Sequence, residues 1–163
     1  MSITVHIKYK DIEETFTGDV NNVWTSINRF FSQTIPLFDA ARSAVLTVDL
    51  KKVIVASKGF VAVAEEGPVV LISKQKLTDT ESLLLKLLAA YVGGQLGVLD
   101  KMWLSRDELQ GWLGKSRKIT GTRLGELCRE GLAVKTEEGG YRLSALGINR
   151  LVDEVLAQIR SRV

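Results

Sequence analysis

The hydrophobic pattern of the chain begins with an alternation of apolar and polar positions. The apolar members of this alternation are Ile3, Val5, Ile7 and Tyr9. A period of two is typical of a half-buried strand. A second short segment with Ile12 and Phe16 follows, so residues 1–17 predict a β-hairpin.

Helical spacing replaces this alternation after Gly18. Asp19 is a suitable N-cap, and apolar residues then recur every three or four positions until Pro36 interrupts the run. The segments 37–46 and 49–57 predict two further short helices. The first half of the chain therefore combines a hairpin with helices.

A second hairpin is predicted next, because the apolar segments 60–64 and 68–72 flank a turn that contains Gly67. The following stretch, 73–76, has no apolar residue. We place a domain boundary there and expect a small α+β unit over residues 1–75.

Two capping boxes open helices in the second half. In each, a hydroxyl side chain and a glutamate three residues later satisfy free backbone N–H groups; the pairs are Thr78 with Glu81 and Ser105 with Glu108. The second helix closes at Gly114. A tight connection leads to a third helix over residues 117–130, with Leu124, Leu127, Cys128 and either Ile119 or Thr120 facing inward.

A third hairpin and a last helix end the sequence. The segments 132–136 and 141–143 bracket an acidic, glycine-containing turn, Glu137 to Gly140. Ser144 then starts a helix. Its apolar stripe includes Leu151, Val155 and Ile159.

The second half resembles the winged helix-turn-helix family. The run RLGELCREGLA, residues 123–133, resembles the R-L-x-E-L-x-x-x-G-L-V that ends a recognition helix and begins the wing. The run GYRLSALG, residues 140–147, resembles the Y-x-L-T-x-x-G of many small prokaryotic winged-helix regulators. The resemblance implies an α+β fold, in which the small α+β unit over 1–75 precedes a winged helix-turn-helix domain over 76–163. The first 75 residues resemble no known family.

A basic cluster lies at the start of the third helix, with four positive charges and no acid between positions 115 and 123. The resemblance implies that this end of the helix enters the major groove of DNA, where side chains contact phosphates and base edges. Thr120 is expected to add a hydroxyl contact. The predicted DNA-binding residues are Lys115, Ser116, Arg117, Lys118, Thr122, Arg123 and Arg129.

The function expected from the resemblance is that of a transcription regulator that reads duplex DNA with helix 117–130. Acidic residues oppose this interpretation: Glu126 shares the exposed stripe of the helix, and Glu137 and Glu138 occupy the wing tip. The alternative is a protein or ribonucleoprotein interaction adaptor, in which the winged helix is a structural module and the N-terminal unit holds the partner. In a DNA-binding regulator, by contrast, the N-terminal unit would serve dimerisation, ligand sensing or binding of a protein partner.

A homodimer is expected, because regulators of this class usually read two half-sites as two-fold dimers. The apolar stripe of the last helix offers one dimer surface. The same stripe has a second possible role, which is to pack on the first helix of its own module.

Composition narrows the class of protein. The 163 residues carry a formal charge of +3 and a pI of about 9.0, which permits an anionic partner without requiring one. The single cysteine, Cys128, excludes an intramolecular disulfide and a cysteine zinc cluster. The sequence has no signal-peptide pattern and no apolar run of about 18 residues, so we expect a cytoplasmic protein that does not enter a membrane.

The remaining candidates for chemistry favour structural roles. The three tryptophans, Trp24, Trp103 and Trp112, lie among apolar residues and are expected in the core. His6 alternates outward on the first strand, and Cys128 is expected to be a buried hydrophobe. We therefore predict neither enzyme activity nor a metal or cofactor.

Overall fold

The computed structural model describes residues 1–35 and 44–163, and the chain divides into two compact units, Met1–Leu46 and Thr47–Val163. Both helices and strands are present, so the protein is α+β, as predicted. Among the described residues, no helix combines the length and the hydrophobicity that crossing a bilayer requires.

The N-terminal unit contains the predicted hairpin and the helix that follows it. Strands β1 (Ile3–Tyr9) and β2 (Ile12–Gly18) are antiparallel, and Lys10 makes their turn with a left-handed φ of 54°. Helix α1 (Val20–Thr34) begins at Asp19, whose carboxylate accepts hydrogen bonds from two backbone N–H groups. The helix predicted over 37–46 falls for the most part outside the described residues.

Helix α1 packs on the hairpin through Phe30. Its ring meets that of Phe16 edge-on, with the centroids 5.9 Å apart, and Val23 is also buried. Trp24, however, is 64% exposed. The prediction that this tryptophan belongs to the core is therefore wrong, because helical spacing placed it one position beyond the buried face of the helix.

The C-terminal unit begins with α2 (Leu50–Ser57), which Asp49 caps, and with the hairpin of β3 (Val61–Ala64) and β4 (Gly67–Val70). A 3-10 turn, Lys74–Lys76, follows. Three helices and a second hairpin come next: α3 (Asp79–Gln95), α4 (Arg106–Leu113), α5 (Arg117–Arg129), β5 (Ala133–Lys135) and β6 (Tyr141–Leu143). Both predicted capping boxes are present, at the starts of α3 and α4.

The compact units differ from the predicted division into 1–75 and 76–163. Val53, Phe60 and Val70 belong to the same buried cluster as Leu83 and Leu88 of α3. A two-stranded hairpin cannot bury its own apolar face, so β3 and β4 pack on α3. The boundary between the units consequently lies at 46/47, and the polar stretch 73–76 is a turn within the C-terminal unit.

The chain ends in a helix with a π-helical turn in its middle. It consists of α6 (Ala145–Arg150), the π-helical residues Leu151–Val155 and α7 (Leu156–Arg162). The N–H of Leu156 donates to the carbonyl of Leu151, five residues earlier. Leu151, Leu156 and Ile159 are buried in the core of the C-terminal unit, whereas Val155 is only partly buried. The stripe proposed as a dimer surface therefore packs within its own unit.

Candidate nucleic-acid interface

The helix expected to read DNA, α5, starts directly after a sharp turn. Gly114 ends α4 in the left-handed conformation, with a φ of 70°, and its N–H donates to the carbonyl of Gln110. Two residues later Ser116 caps α5, because its hydroxyl accepts a hydrogen bond from the N–H of Ile119 at 3.2 Å. The short turn fixes the direction in which the N-terminal end of α5 points.

Most of the predicted DNA-binding residues lie together on the surface of this end. Ser116, Lys118, Ile119, Thr122 and Arg123 line one shallow depression. Lys115 and Arg117 are exposed next to them in the chain. Arg129 is also exposed but lies at the far end of the helix, where its Nε donates to the carbonyl of Gly125 at 3.4 Å. The structure thus brings the predicted residues 115–123 together and leaves Arg129 apart from them.

Thr120 does not belong to this surface. Its side chain is fully buried, and its hydroxyl oxygen has no hydrogen-bond partner among the described residues. Ile119, the other candidate for an inward position, is 42% exposed. The predicted hydroxyl contact from Thr120 is therefore wrong, since the helix turns this residue toward Leu124 and the core.

An ion pair compensates one of the basic side chains. Arg123 Nη1 lies 2.9 Å from Glu126 Oε2, one helical turn away. The hydrogen bond to this carboxylate raises the pKa of Arg123. No such partner is found for Lys115, Arg117 or Lys118 among the carboxylates of residues 1–35 and 44–163. Their positive charges are the ones available to an anionic ligand.

Arg106, which the sequence did not single out, connects α4 to the start of α5. Its Nη2 donates to the carbonyl of Arg117 at 3.1 Å. The same guanidinium lies against Gly121, where a Cβ atom would overlap Nη2. The sequence did contain one signal of this contact: Gly121 lies inside a helix, where a glycine often marks the close approach of another group, and its φ is not positive.

The hairpin of β5 and β6 follows α5 and carries the acidic tip. Glu137 and Glu138 are exposed there, and Gly139 completes the reversal with a φ of 83°. A backbone bridge joins Leu104 to Tyr141, so a third short stretch of extended chain pairs with β6. The acids of the tip oppose contact between this part of the hairpin and phosphate groups.

Other side chains considered for chemistry have structural partners. His6 hydrogen-bonds to Thr15 and Glu13, at 2.9 and 2.7 Å, on an exposed strand face. Cys128 packs against the core, and burial raises the pKa of its thiol, as expected for a small hydrophobe. In the two described ranges, no group of three or more His, Cys, Asp or Glu residues is arranged to hold a metal ion.

The surface at the start of α5 is thus exposed and basic, and Lys115, Arg117 and Lys118 have no ion-pair partner among the described residues. Ser116 caps the helix that carries this surface. No family model matches the chain, and no curated protein or solved structure matches it either.

Proposed function

We propose that the C-terminal unit contains a winged helix-turn-helix and that the protein binds duplex DNA with α5, as a cytoplasmic transcription regulator. The order of elements supports this proposal. Helices α3, α4 and α5 are followed by the hairpin of β5 and β6, and the bridge from Leu104 to Tyr141 adds the extended stretch between α3 and α4. This is the order that winged-helix domains share.

The observation that carries the proposal is the exposed basic surface at the start of α5. An α-helix with its side chains is about 10–12 Å in diameter and the major groove is about 12 Å wide, so α5, with its 13 residues, can lie in the groove. Lys115, Arg117 and Lys118 have no carboxylate partner among the described residues. They are therefore free to exchange counterions for DNA phosphates.

The proposal is tested by fluorescence anisotropy with random duplex DNA at several salt concentrations. The variant Arg117→Ala with Lys118→Ala removes two charges from α5. We expect this variant to bind DNA more weakly. The slope of the logarithm of the binding constant against the logarithm of the salt concentration should also become less steep, by about 0.9 for each phosphate that is no longer neutralised. The matched control, Lys51→Ala with Lys58→Ala, removes two exposed charges elsewhere in the same unit and should bind as the unchanged protein does.

Unchanged affinity and salt slope in the α5 variant, with its circular dichroism intact, would refute DNA binding through this helix. The adaptor function would then be preferred. Two observations favour it: Glu137 and Glu138 are exposed at the tip of the hairpin, and Glu126 neutralises Arg123 on α5. An adaptor of this kind would produce no anisotropy change with duplex DNA at any salt concentration.

The homodimer remains part of the proposal, but it requires a surface other than Leu151 and Ile159, which are buried within one chain. The N-terminal unit is the remaining candidate for dimerisation, ligand sensing or binding of a protein partner. Light scattering at high micromolar concentration tests the assembly, since a particle of 18.0 kDa would exclude a dimer under those conditions.

A further inference from the structure

A second basic site in the C-terminal unit surrounds the indole of Trp112. Lys74 Nζ lies 4.2 Å from the centroid of this ring, and Lys86 Nζ lies 4.8 Å from it. The indole N–H donates to the carbonyl of Ser82 at 3.2 Å, which fixes the ring. Two ammonium groups therefore share one aromatic ring.

Neither ammonium group forms an ion pair with a described residue. Lys74 donates to the carbonyl of Trp112, and Lys86 donates to the carbonyl of Pro68. The ion pairs of the described residues include neither lysine. Each ammonium group has three donor hydrogens, so donors remain for a further acceptor.

The two positive charges also repel each other. Lys86 is half-buried, and its pKa is lowered, mainly by burial and to a smaller extent by repulsion from Lys74. The negative charge of Glu108 raises this pKa but does not offset the other two effects. The Glu108 carboxylate is already held by Lys101, at 2.9 and 3.2 Å, and by the N–H of Ser105. No ion pair joins this carboxylate to either lysine among the described residues, and a bound anion would relieve the repulsion between the lysines.

An open pocket of about 370 Å³ lies beside Lys86 and Trp112; Lys74 is not among its lining residues but contacts the same indole ring. Lys86, Trp112 and Glu108 line it together with the apolar side chains of Pro68, Val69 and Leu104. This volume is suited to a small molecule. Glu66 also lines the pocket and, with its neighbour Glu65, is exposed in the turn between β3 and β4. Because carboxylates repel anions of every kind, an oxyanion in this pocket would have to lie at the lysines, away from the turn.

We infer that Lys74, Lys86 and Trp112 bind a small molecule carrying an oxyanion, either a phosphate or a carboxylate group. The two lysines hold the oxyanion, and the apolar wall contacts the remainder of the ligand. Because the site is distinct from the basic surface of α5, this inference does not depend on DNA binding. Trp112 lies two residues before Gly114, so a ligand bound here contacts the helix that leads into α5.

The indole signals of the full-length protein provide the test. The chain has three tryptophans, so its ¹H–¹⁵N spectrum has three indole signals, and Trp112→Phe identifies that of Trp112. The protein is titrated with sodium phosphate and with sodium acetate, and with sodium chloride at the same ionic strength. We expect a saturable shift of the Trp112 signal with at least one of the two oxyanions and none with chloride. Tighter binding of phosphate supports a phosphorylated ligand, and tighter binding of acetate supports a carboxylate.

Charge variants make the test specific. Lys74 is exposed, so Lys74→Gln is expected to leave the fold intact while weakening oxyanion binding about tenfold, the scale of one hydrogen bond to a charged group. Lys76→Gln, in the same 3-10 turn but with no contact to Trp112 among those described, should bind as the unchanged protein does. The inference is overturned if no oxyanion gives a saturable shift, if both variants weaken binding equally, or if only duplex DNA shifts the Trp112 signal.

Discussion

The guanidinium group of Arg106 occupies the space that any side chain at position 121 would need. A Cβ atom built on Gly121 overlaps Arg106 Nη2 and stands 3.0 Å from its Cζ. Because Nη2 also donates to the carbonyl of Arg117, this contact couples the start of α4 to the first turn of α5.

We predict that two glycine substitutions in α5 differ in their effect on stability. Among the described residues, no atom outside the neighbouring helix backbone comes within 4 Å of a Cβ placed on Gly125. Gly125→Ala should therefore raise the free energy of unfolding by about 0.5–1 kcal/mol, because alanine has the higher helix propensity. Gly121→Ala obtains the same gain but moves the flexible guanidinium of Arg106 away from the carbonyl of Arg117, and the loss of this hydrogen bond should place its free energy of unfolding about 1 kcal/mol below that of Gly125→Ala. Chemical denaturation measures both changes.

A double-variant cycle provides the control for this pair. In an Arg106→Ala background nothing blocks the new methyl group, so Gly121→Ala should become stabilising there. An equal effect of Gly121→Ala with and without Arg106 would contradict the proposed contact.

The position of the boundary between the units predicts how fragments fold. The fragment 47–163 retains Val53, Phe60 and Val70 against α3, and should unfold in one cooperative transition. The fragment 76–163 lacks these side chains and exposes part of the apolar surface of α3, so it should unfold at a lower denaturant concentration or fail to fold. Equal midpoints for the two fragments would show that the segment 47–75 contributes nothing to this core.

The free energy of unfolding should depend on pH through the carboxylate of Glu81. Burial pushes its pKa upward, but hydrogen bonds from the N–H of Thr78 and from Arg162 outweigh this effect, and the net pKa is lowered. A lowered pKa stabilises the folded state above the ordinary value of about 4.5, and this stabilisation is lost as the pH falls through the folded pKa.

We therefore expect Glu81→Gln to lower the free energy of unfolding by about 1 kcal/mol at pH 7, because the amide retains the capping geometry but loses the charge beside the half-exposed Arg162. The difference from the unchanged protein should shrink as the pH falls from 5 to 3. Glu138→Gln, at the exposed tip of the hairpin, serves as the control. A difference that stays constant with pH would rule out the charge as its cause.

Removing the acid that pairs with Arg123 should strengthen DNA binding, if α5 is the recognition helix. Glu126→Gln breaks the 2.9 Å ion pair and frees the guanidinium for a phosphate, which would steepen the logarithmic salt slope by up to about 0.9. Glu130→Gln, one turn further along and exposed, removes the same charge without freeing Arg123. Anisotropy titrations that show the same change for both variants would mean that only net charge matters.

Local signals in the sequence were enough to predict where most elements begin. Asp19, Asp49, Thr78, Ser105 and Ser116 each cap a helix at a position that short-range hydrogen bonds determine. The basic residues at the start of α5 could also be predicted from the sequence, because they lie close together in the chain, between positions 115 and 123.

Features that depend on tertiary packing could not be predicted in this way. The division at 75/76 was suggested by a polar stretch, whereas the unit boundary depends on contacts of Phe60 and Val70 with a helix that follows them in the chain. Thr120 is buried although its neighbour Ile119 is more apolar. The role of Arg106 requires the approach of α4 to α5, which no local pattern encodes.

The π-helical turn should allow the last helix to lose one residue without a change in the face that it buries. Leu151 and Leu156 both face the core although they are five residues apart, because the wider turn accommodates one additional residue between two α-helical segments. Removing one residue between them would leave a spacing of four, which an uninterrupted α-helix also places on one face. Evolution or design can therefore shorten the chain by one residue at this point without rotating Ile159 away from the core, a freedom that the regular helix α5 does not offer.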